Sequence, residues 1–256
     1  MRLGQNFLAD PNLLDAIVRD AGVNEADRVL EVGVGEGVLT ERLAAICGQV
    51  HVIELDRGLE PFIRHILEMP NVNVIWADAV KYDLALLQPP PTAMVANLPY
   101  AVATPVIMRT IFELPTIRTW SVMVQKEIAD RLRSEPGSKI YGAPSVLAQL
   151  AGEVTMVRKV SRTVFRPQPR VDSAIVSIKR LGPGPDEHTR TIVRAAFSHR
   201  RKALPRSMDM AIGGTLEPAR AALENLGLDP GIRAEAVTPE QFAALSAMID
   251  LPPGDS

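Results

Sequence analysis

The chain has 256 residues, 46% of them hydrophobic, enough to fill one large α/β core and a smaller appendage. Its one cysteine, Cys47, excludes a disulfide framework and a Cys-rich zinc site, so no metal is expected and a reducing cytoplasm is the expected location. The net charge of −2 conceals a segment from Arg158 to Arg206 with 13 Lys and Arg against 3 acids, which favours a local polyanion footprint over a merely solvated face.

In chain order, residues 1–10 lack an apolar core of signal-peptide length, and no later apolar run is long enough to span a bilayer. The stretch Arg2-Leu-Gly-Gln-Asn-Phe-Leu8 precedes a helix that Asp10 caps and Pro11 opens, with Leu13, Leu14, Ile17 and Val18 at helical spacing. The polar pair Gln5 and Asn6 is then either a loop or the lip of a pocket. A short strand is predicted over Arg28–Val32, running into Gly33-Val34-Gly35-Glu36-Gly37 and a helix from Val38 to Ile46. Glycines at alternate positions admit close approach of a nucleotide-like ligand, or only tight packing, and their spacing departs from the dinucleotide fingerprint. The next strand, Gln49–Ile53, ends in Glu54-Leu55-Asp56: Glu54 is placed to accept from ribose hydroxyls, and Asp56 to cap a helix over 57–67. A third strand, Val72–Trp76, leads to Asp78, further along the same crevice, where a carboxylate can accept from the amine of an adenine ring.

Three prolines, Pro89 to Pro91, exclude helix and central strand from the connection that follows. Ala93–Ala96 reads as a buried strand that Pro99 halts, so Asn97 lies at a strand's carboxyl end, where open α/β sheets bind ligands. The Asn97 amide and the flat Tyr100 ring suit a planar amine, although Asn-Leu-Pro-Tyr taken alone is equally an ordinary turn. A helix is predicted over 104–112, a strand over Trp120–Val124, a helix from Gln125, a polar loop over 134–142 and a helix over 144–150. Thr155–Val160 and Ala174–Ile178 are predicted as an edge hairpin. Between them, the prolines of Phe165-Arg166-Pro167-Gln168-Pro169-Arg170 hold the chain extended and present Phe165 beside Arg166 and Arg170, an arrangement suited to a stacked base and its phosphate. The competing reading makes Phe165 a core plug. Leu181-Gly-Pro-Gly-Pro185 is a linker, and helices are predicted beyond it over 186–198, 208–212, 218–226 and 239–248, the last capped by Thr238; Pro252–Ser256 is expected to fray. Arg200-Arg201-Lys202 concentrates charge at the end of the first of these helices, which favours nucleic acid over simple helix-end electrostatics.

Gly4-Gln5-Asn6-Phe7-Leu8, Glu31-Val32-Gly33-Val34-Gly35, Glu54, Asp78, Asn97-Leu98-Pro99-Tyr100, Phe165-Arg166-Pro167, Val171-Asp172-Ser173 and Arg200-Arg201-Lys202 form an ordered set running through nearly the whole chain. On these residues the sequence resembles the small-subunit ribosomal RNA adenine dimethyltransferases. The erythromycin-resistance methyltransferases are similar in the first domain, but Gln125-Lys126-Glu127 and the Arg-Arg-Lys cluster resemble the ribosome-assembly branch more closely. Two departures stand out: the chain starts almost directly at Gly-Gln-Asn, and it has Pro205, Met208 and Asp209 where relatives are more basic.

The resemblance implies a Rossmann-like methyltransferase fold, α/β with a seven-stranded mostly parallel sheet over residues 1–181, and a small all-helical C-terminal RNA-binding domain over 186–251. It implies S-adenosyl-L-methionine as methyl donor. The expected reaction is dimethylation of the exocyclic amine of adenines, two adjacent ones, in small-subunit ribosomal RNA within an assembling subunit, by a cytoplasmic monomer that engages no membrane. Carried over position by position, Gln5, Asn6, Leu8, Gly33, Gly35, Glu54, Leu55, Asp78, Ala79 and Asn97 contact the cofactor. Asn97, Leu98, Pro99 and Tyr100 hold the target adenine and Phe165 stacks on it, while Arg166, Arg170, Arg200, Arg201 and Lys202 contact RNA. Rival readings are an assembly or transcription factor that uses the fold as an RNA-binding module, and a methyltransferase acting on large-subunit RNA, DNA or a protein amide.

Overall fold

In the computed structural model, which describes residues 6–8 and 10–252, the first element among the described residues is a two-residue strand, β1 (Phe7–Leu8). Asp10 then accepts from the amides of Asn12 and Leu13, Pro11 enters the first turn, and α1 (Pro11–Ala21) buries Leu14, Ile17 and Val18 before Gly22 ends it in the left-handed region. The expectation for Gln5 lies outside the described residues.

Alternation of strand and helix builds the main sheet. Its strands are β2 (Arg28–Val32), β3 (Gln49–Glu54), β4 (Val72–Trp76), β5 (Ala93–Asn97), β6 (Thr119–Gln125), β7 (Gly152–Val160) and β9 (Ser173–Arg180); a two-residue β8 (Phe165–Arg166) pairs outside this sheet with β1. The spatial order is β4-β3-β2-β5-β6-β9-β7. From β4 to β6 every pairing is parallel, and β9 then runs antiparallel to β6, with Gln125 opposite Ser173. Val29, Leu30, Val50, Val52, Met94, Val95 and Val122 are buried, as strands covered on both faces require. The edge strand β7 exposes Arg158 and Lys159, charges that discourage a further strand from pairing there.

Because β2 leads outward to β3 and β4 while β5 leads the other way to β6, the neighbours β2 and β5 diverge, leaving a crevice at their carboxyl ends. The connections are α2 (Val38–Ala44), α3 (Arg64–Leu67), α4 (Ala103–Glu113) and α5 (Lys126–Leu132). The single helix expected over 57–67 is instead a 3-10 segment, Arg57–Phe62, followed by the one-turn α3. Pro61 has no amide to continue the ladder, although Asp56 does cap the segment through the Gly58 amide.

Two compact units divide the chain: Met1–Ala129 with Glu153–Arg180, and Asp130–Gly152 with Leu181–Ser256. The second is helical, with α6 (Ala143–Ala151), α7 (Glu187–Ser198), α8 (Leu204–Ile212), α9 (Leu216–Asn225) and α10 (Pro239–Ser246). Thr238 caps α10 in a capping box with Gln241. The segment 130–152, read from sequence as part of the first domain, groups with this helical unit. The reason is visible in Tyr141, whose buried ring meets Phe197 edge-on at 6.0 Å and whose hydroxyl donates to the Val237 carbonyl at 2.9 Å. The Gly137 amide adds a main-chain bond to the Glu235 carbonyl. Among the described residues, no helix is long and apolar enough to cross a membrane.

Candidate active site

A cavity of about 420 Å³ opens at the diverging ends of β2 and β5, and residues from five strand ends meet in it. After β2, Gly33 has φ +88 and Gly35 φ +56, conformations that side chains disfavour; a Cβ on Gly33 would sit 3.4 Å from the Pro99 ring, and one on Gly35 would crowd Phe7 at 3.3 Å. The glycines thus let the β2 turn pass close beside the Asn97–Tyr100 turn and the Phe7 ring. After β3, the Glu54 carboxylate accepts from the Val34 amide at 2.9 Å and the Asp56 amide at 2.7 Å, which ties the glycine turn to its own strand end. Two oxygens hold several lone pairs, so Glu54 keeps acceptor capacity towards the cavity.

After β4, Asp78 starts a tight turn: its carboxylate accepts from the Val80 amide, and its carbonyl from the amides of Lys81 and Tyr82. After β5, the Leu98 amide donates to the Met123 carbonyl, and the Pro99 carbonyl accepts from the Val102 amide just before α4. This pins the Asn-Leu-Pro-Tyr turn between β6 and a helix start. Tyr100 is half-buried, and its hydroxyl lies 2.7 Å from that of the buried Ser173 at the start of β9; burial pushes the phenol above its ordinary value, with the Ser173 bond opposing.

The cavity wall includes the expected Asn6, Leu8, Gly33, Gly35, Glu54, Leu55, Asp78, Ala79, Asn97, Leu98, Pro99 and Tyr100. Phe165 is not part of it. Its ring is 2% exposed in the apolar cluster with Leu8, Val34, Leu39 and Ile175, because β8 pairs with β1 and turns the side chain inward. The picture of a ring presented on a stiff loop is corrected to that of a core plug. Arg166 and Arg170 are exposed beside it, with the Arg170 carbonyl accepting from Arg162. In the helical unit Arg201 and Lys202 are exposed, whereas Arg200 is half-buried and engaged, donating to Glu235 at 3.1 Å.

The wall also includes residues not expected there from the sequence, among them Phe7 and Glu31. Glu31 is 1% exposed and accepts from the Thr40 hydroxyl at 2.7 Å; burial pushes its carboxyl up to about 8, against the Thr40 bond and helped by the charge of Glu54. An acid inside the apolar run Val-Leu-Glu-Val was the available signal. Phe7 stands in the Gly4–Leu8 motif, but its place in the wall depends on pairing with a segment more than 150 residues away.

A mostly parallel seven-stranded sheet with an antiparallel strand beyond β6, flanked by helices and carrying its cavity at the divergence of β2 and β5, defines the Rossmann-like methyltransferase class. Among solved structures, a dimethyladenosine transferase from Plasmodium falciparum superposes with a TM-score of 0.79 at 25% identity, covering 95% of this chain and 99% of that one. The 23S rRNA methyltransferase ErmE does so with a TM-score of 0.69 at 29% identity, again over 95% and 99%. Among sequences, the ribosomal RNA small subunit methyltransferase A of Rubrobacter xylanophilus is 42% identical over 95% of this chain and 92% of its own, and that of Rhodococcus opacus 40% identical over 96% and 87%. The ribosomal RNA adenine dimethylase family matches residues 1–251, and the chain belongs to that family. It is an rRNA adenine dimethyltransferase, of a family whose methyl donor is S-adenosylmethionine.

Proposed function

We propose that this enzyme acts on adenines of small-subunit ribosomal RNA in an assembling subunit, as a monomer, with the cavity at β2 and β5 holding both donor and target amine. The observation that carries the proposal is the meeting of Gly33, Glu54, Asp78 and the Asn97–Tyr100 turn in the lining of one cavity. The residues fit an adenosyl ligand. The bare backbone at Gly33 and Gly35 makes room, Glu54 accepts from ribose hydroxyls, Asp78 accepts from the adenine amine, and Asn6 and Asn97 supply further polar contacts. Bound there, S-adenosylmethionine supplies a methyl group on a positively charged sulfur.

The target amine is a weak nucleophile because its lone pair is delocalised into the ring. The Asn97 side-chain oxygen and the main-chain carbonyl of Leu98 or Pro99 accept its two hydrogens, which orients the lone pair away from them and into the cavity. The same oxygens stabilise positive charge developing on nitrogen, and the released proton passes to water, so no strong base is required. Tyr100 offers the stacking face that offsets part of the cost of splaying the base out, about 1–3 kcal/mol per stacked base. Phe165 contributes a second face only if the β1–β8 pair moves. Exposed Arg166, Arg170, Arg201 and Lys202 are suited to phosphates.

The test is to incubate the protein with S-adenosylmethionine and unmethylated small ribosomal subunits, digest the RNA and look for dimethyladenosine by mass spectrometry. Dimethyladenosine that disappears with Asn97→Ala supports the proposal. Modification of large subunits or DNA in preference to small subunits transfers the activity to another substrate, and binding without any methyl transfer leaves a binding-module role in its place.

A further inference from the structure

The turn that carries Asp78 is closed by a helix other than its own neighbours. Arg109, in the second turn of α4, donates from one terminal nitrogen to the Ala79 carbonyl and from the other to the Tyr82 carbonyl, each at 2.9 Å. Its Nε donates to Glu113 on the same helix at 2.7 Å, which fixes the guanidinium plane. Arg109 is mostly buried, at 21% side-chain exposure, so this is a tethered group rather than a surface pair sampling solvent. Both carbonyls belong to the five-residue turn that Asp78 opens, and Asp78 and Ala79 line the cavity while Arg109 does not. The start of α4 is tied in turn to the Asn97–Tyr100 segment through the Val102 amide and Pro99 carbonyl. One helix therefore braces both the Asp78 turn and the Asn97–Tyr100 turn.

We infer that Arg109, held by Glu113, is a positioning residue for cofactor recognition: it sets the Asp78 carboxylate at the adenine ring without touching the ligand. The inference rests on the proposed adenosyl site. A planar fork bonding two carbonyls at once has no equivalent in a lysine, whose single ammonium reaches only one with the same certainty. Since Asp78 is assigned to the exocyclic amine, loss of the brace affects the part of affinity that depends on that amine. Contacts to the ribose and amino-acid portions stay in place, because Glu54, Gly33 and Asn97 lie on other strand ends.

Two ligands separate these effects in calorimetric titration: S-adenosyl-L-homocysteine, and S-inosyl-L-homocysteine, which carries an oxygen where the amine was. The wild type is expected to prefer the adenosyl compound by about tenfold or more, the scale of a hydrogen bond to a charged group. In Arg109→Ala this preference falls to about twofold or less, with inosyl binding nearly unchanged, and Arg109→Lys lies between. Glu113→Gln shows the same loss in smaller degree. If Arg109→Ala folds poorly, Arg109→Lys and Glu113→Gln decide by the same ratio. Equal weakening of both ligands, or an unchanged ratio in the variants, overturns the inference, since a purely structural brace acts on both alike. A wild type that binds neither ligand defeats the adenosyl reading of the cavity and the inference with it, whereas one that binds both equally defeats the assignment of Asp78 to the amine and so overturns the inference alone.

Discussion

The two ends of the main sheet are built from similar polar residues and differ in where their hydrogen bonds go. At the amino ends, just before β2, β5 and β6, Asp27 accepts from the Thr92 hydroxyl at 2.8 Å, from Arg118 at 2.9 Å and from the Asn24 amide at 3.0 Å. Arg28 donates to the Pro90 carbonyl, and the Arg28 amide to Thr92. This network closes on itself with Asp27 buried. At the carboxyl ends Glu54, Asp78 and Asn97 each face a cavity, and their bonds to protein are ones that set local turns. An Asp at a strand end thus closes a network or faces a cavity according to what surrounds its remaining lone pairs, and residue type alone does not separate the two.

Substitutions at either end of the sheet separate the two behaviours. The largest effect is expected from Asn97→Ala, about 10²- to 10³-fold slower methyl transfer at nearly unchanged thermal stability, read from single-turnover kinetics beside a melting curve. A large drop in melting temperature would place Asn97 with the structural network instead. Asp27→Ala should do the reverse, costing about 2–3 kcal/mol in urea denaturation by orphaning the Thr92 hydroxyl and the Asn24 amide, with turnover per folded molecule retained. Glu31 sits where the two behaviours meet, a buried acid that also lines the cavity. Its carboxyl is raised to about 8 in the fold from an ordinary 4.5, so the native state binds the extra proton; the stability this represents is complete below pH 4.5 and is lost as pH rises to about 8. Glu31→Gln should therefore flatten the decline between those values, by at most about 1.4 kcal/mol per pH unit, and a decline as steep as the wild type's would show that Glu31 does not carry that proton. The smallest effect falls on Ser173→Ala. Removing the partner of the Tyr100 hydroxyl should raise KM for the RNA roughly fivefold, about 1 kcal/mol, with kcat nearly constant. An equal fall in kcat would assign the pair to the chemical step.

Most of the sheet was legible because each strand is an apolar run with punctuation at its end: Gly33 after β2, Glu54 closing β3, Asp78 after β4 and Pro99 after β5. The helix caps Asp10, Asp56 and Thr238 were legible for the same reason, since a cap acts on amides two or three residues away. The break in 57–67 was available too, in Pro61, which has no amide to carry a helix through. Phe165 was not decidable from its neighbours. Alternating prolines and arginines describe an exposed loop, and only the pairing of β8 with β1 puts the ring in the core. Segment 130–152 has the same history: its polar composition says loop and short helix, and nothing local says that Tyr141 packs with Phe197.

By itself the sequence determined the order of the main-sheet strands, the strand ends at which the candidate site groups stand, and the family, all of which depend on residue patterns within about ten positions or on motifs in a set order. The tertiary structure alone decided which of those groups share one cavity, that Phe7 and Glu31 join them while Phe165 does not, and that Arg109 braces the Asp78 turn from another helix. Those outcomes rest on contacts between residues 20 to 159 positions apart, and such contacts leave no local trace because their free energy is realised only when the chain closes around them.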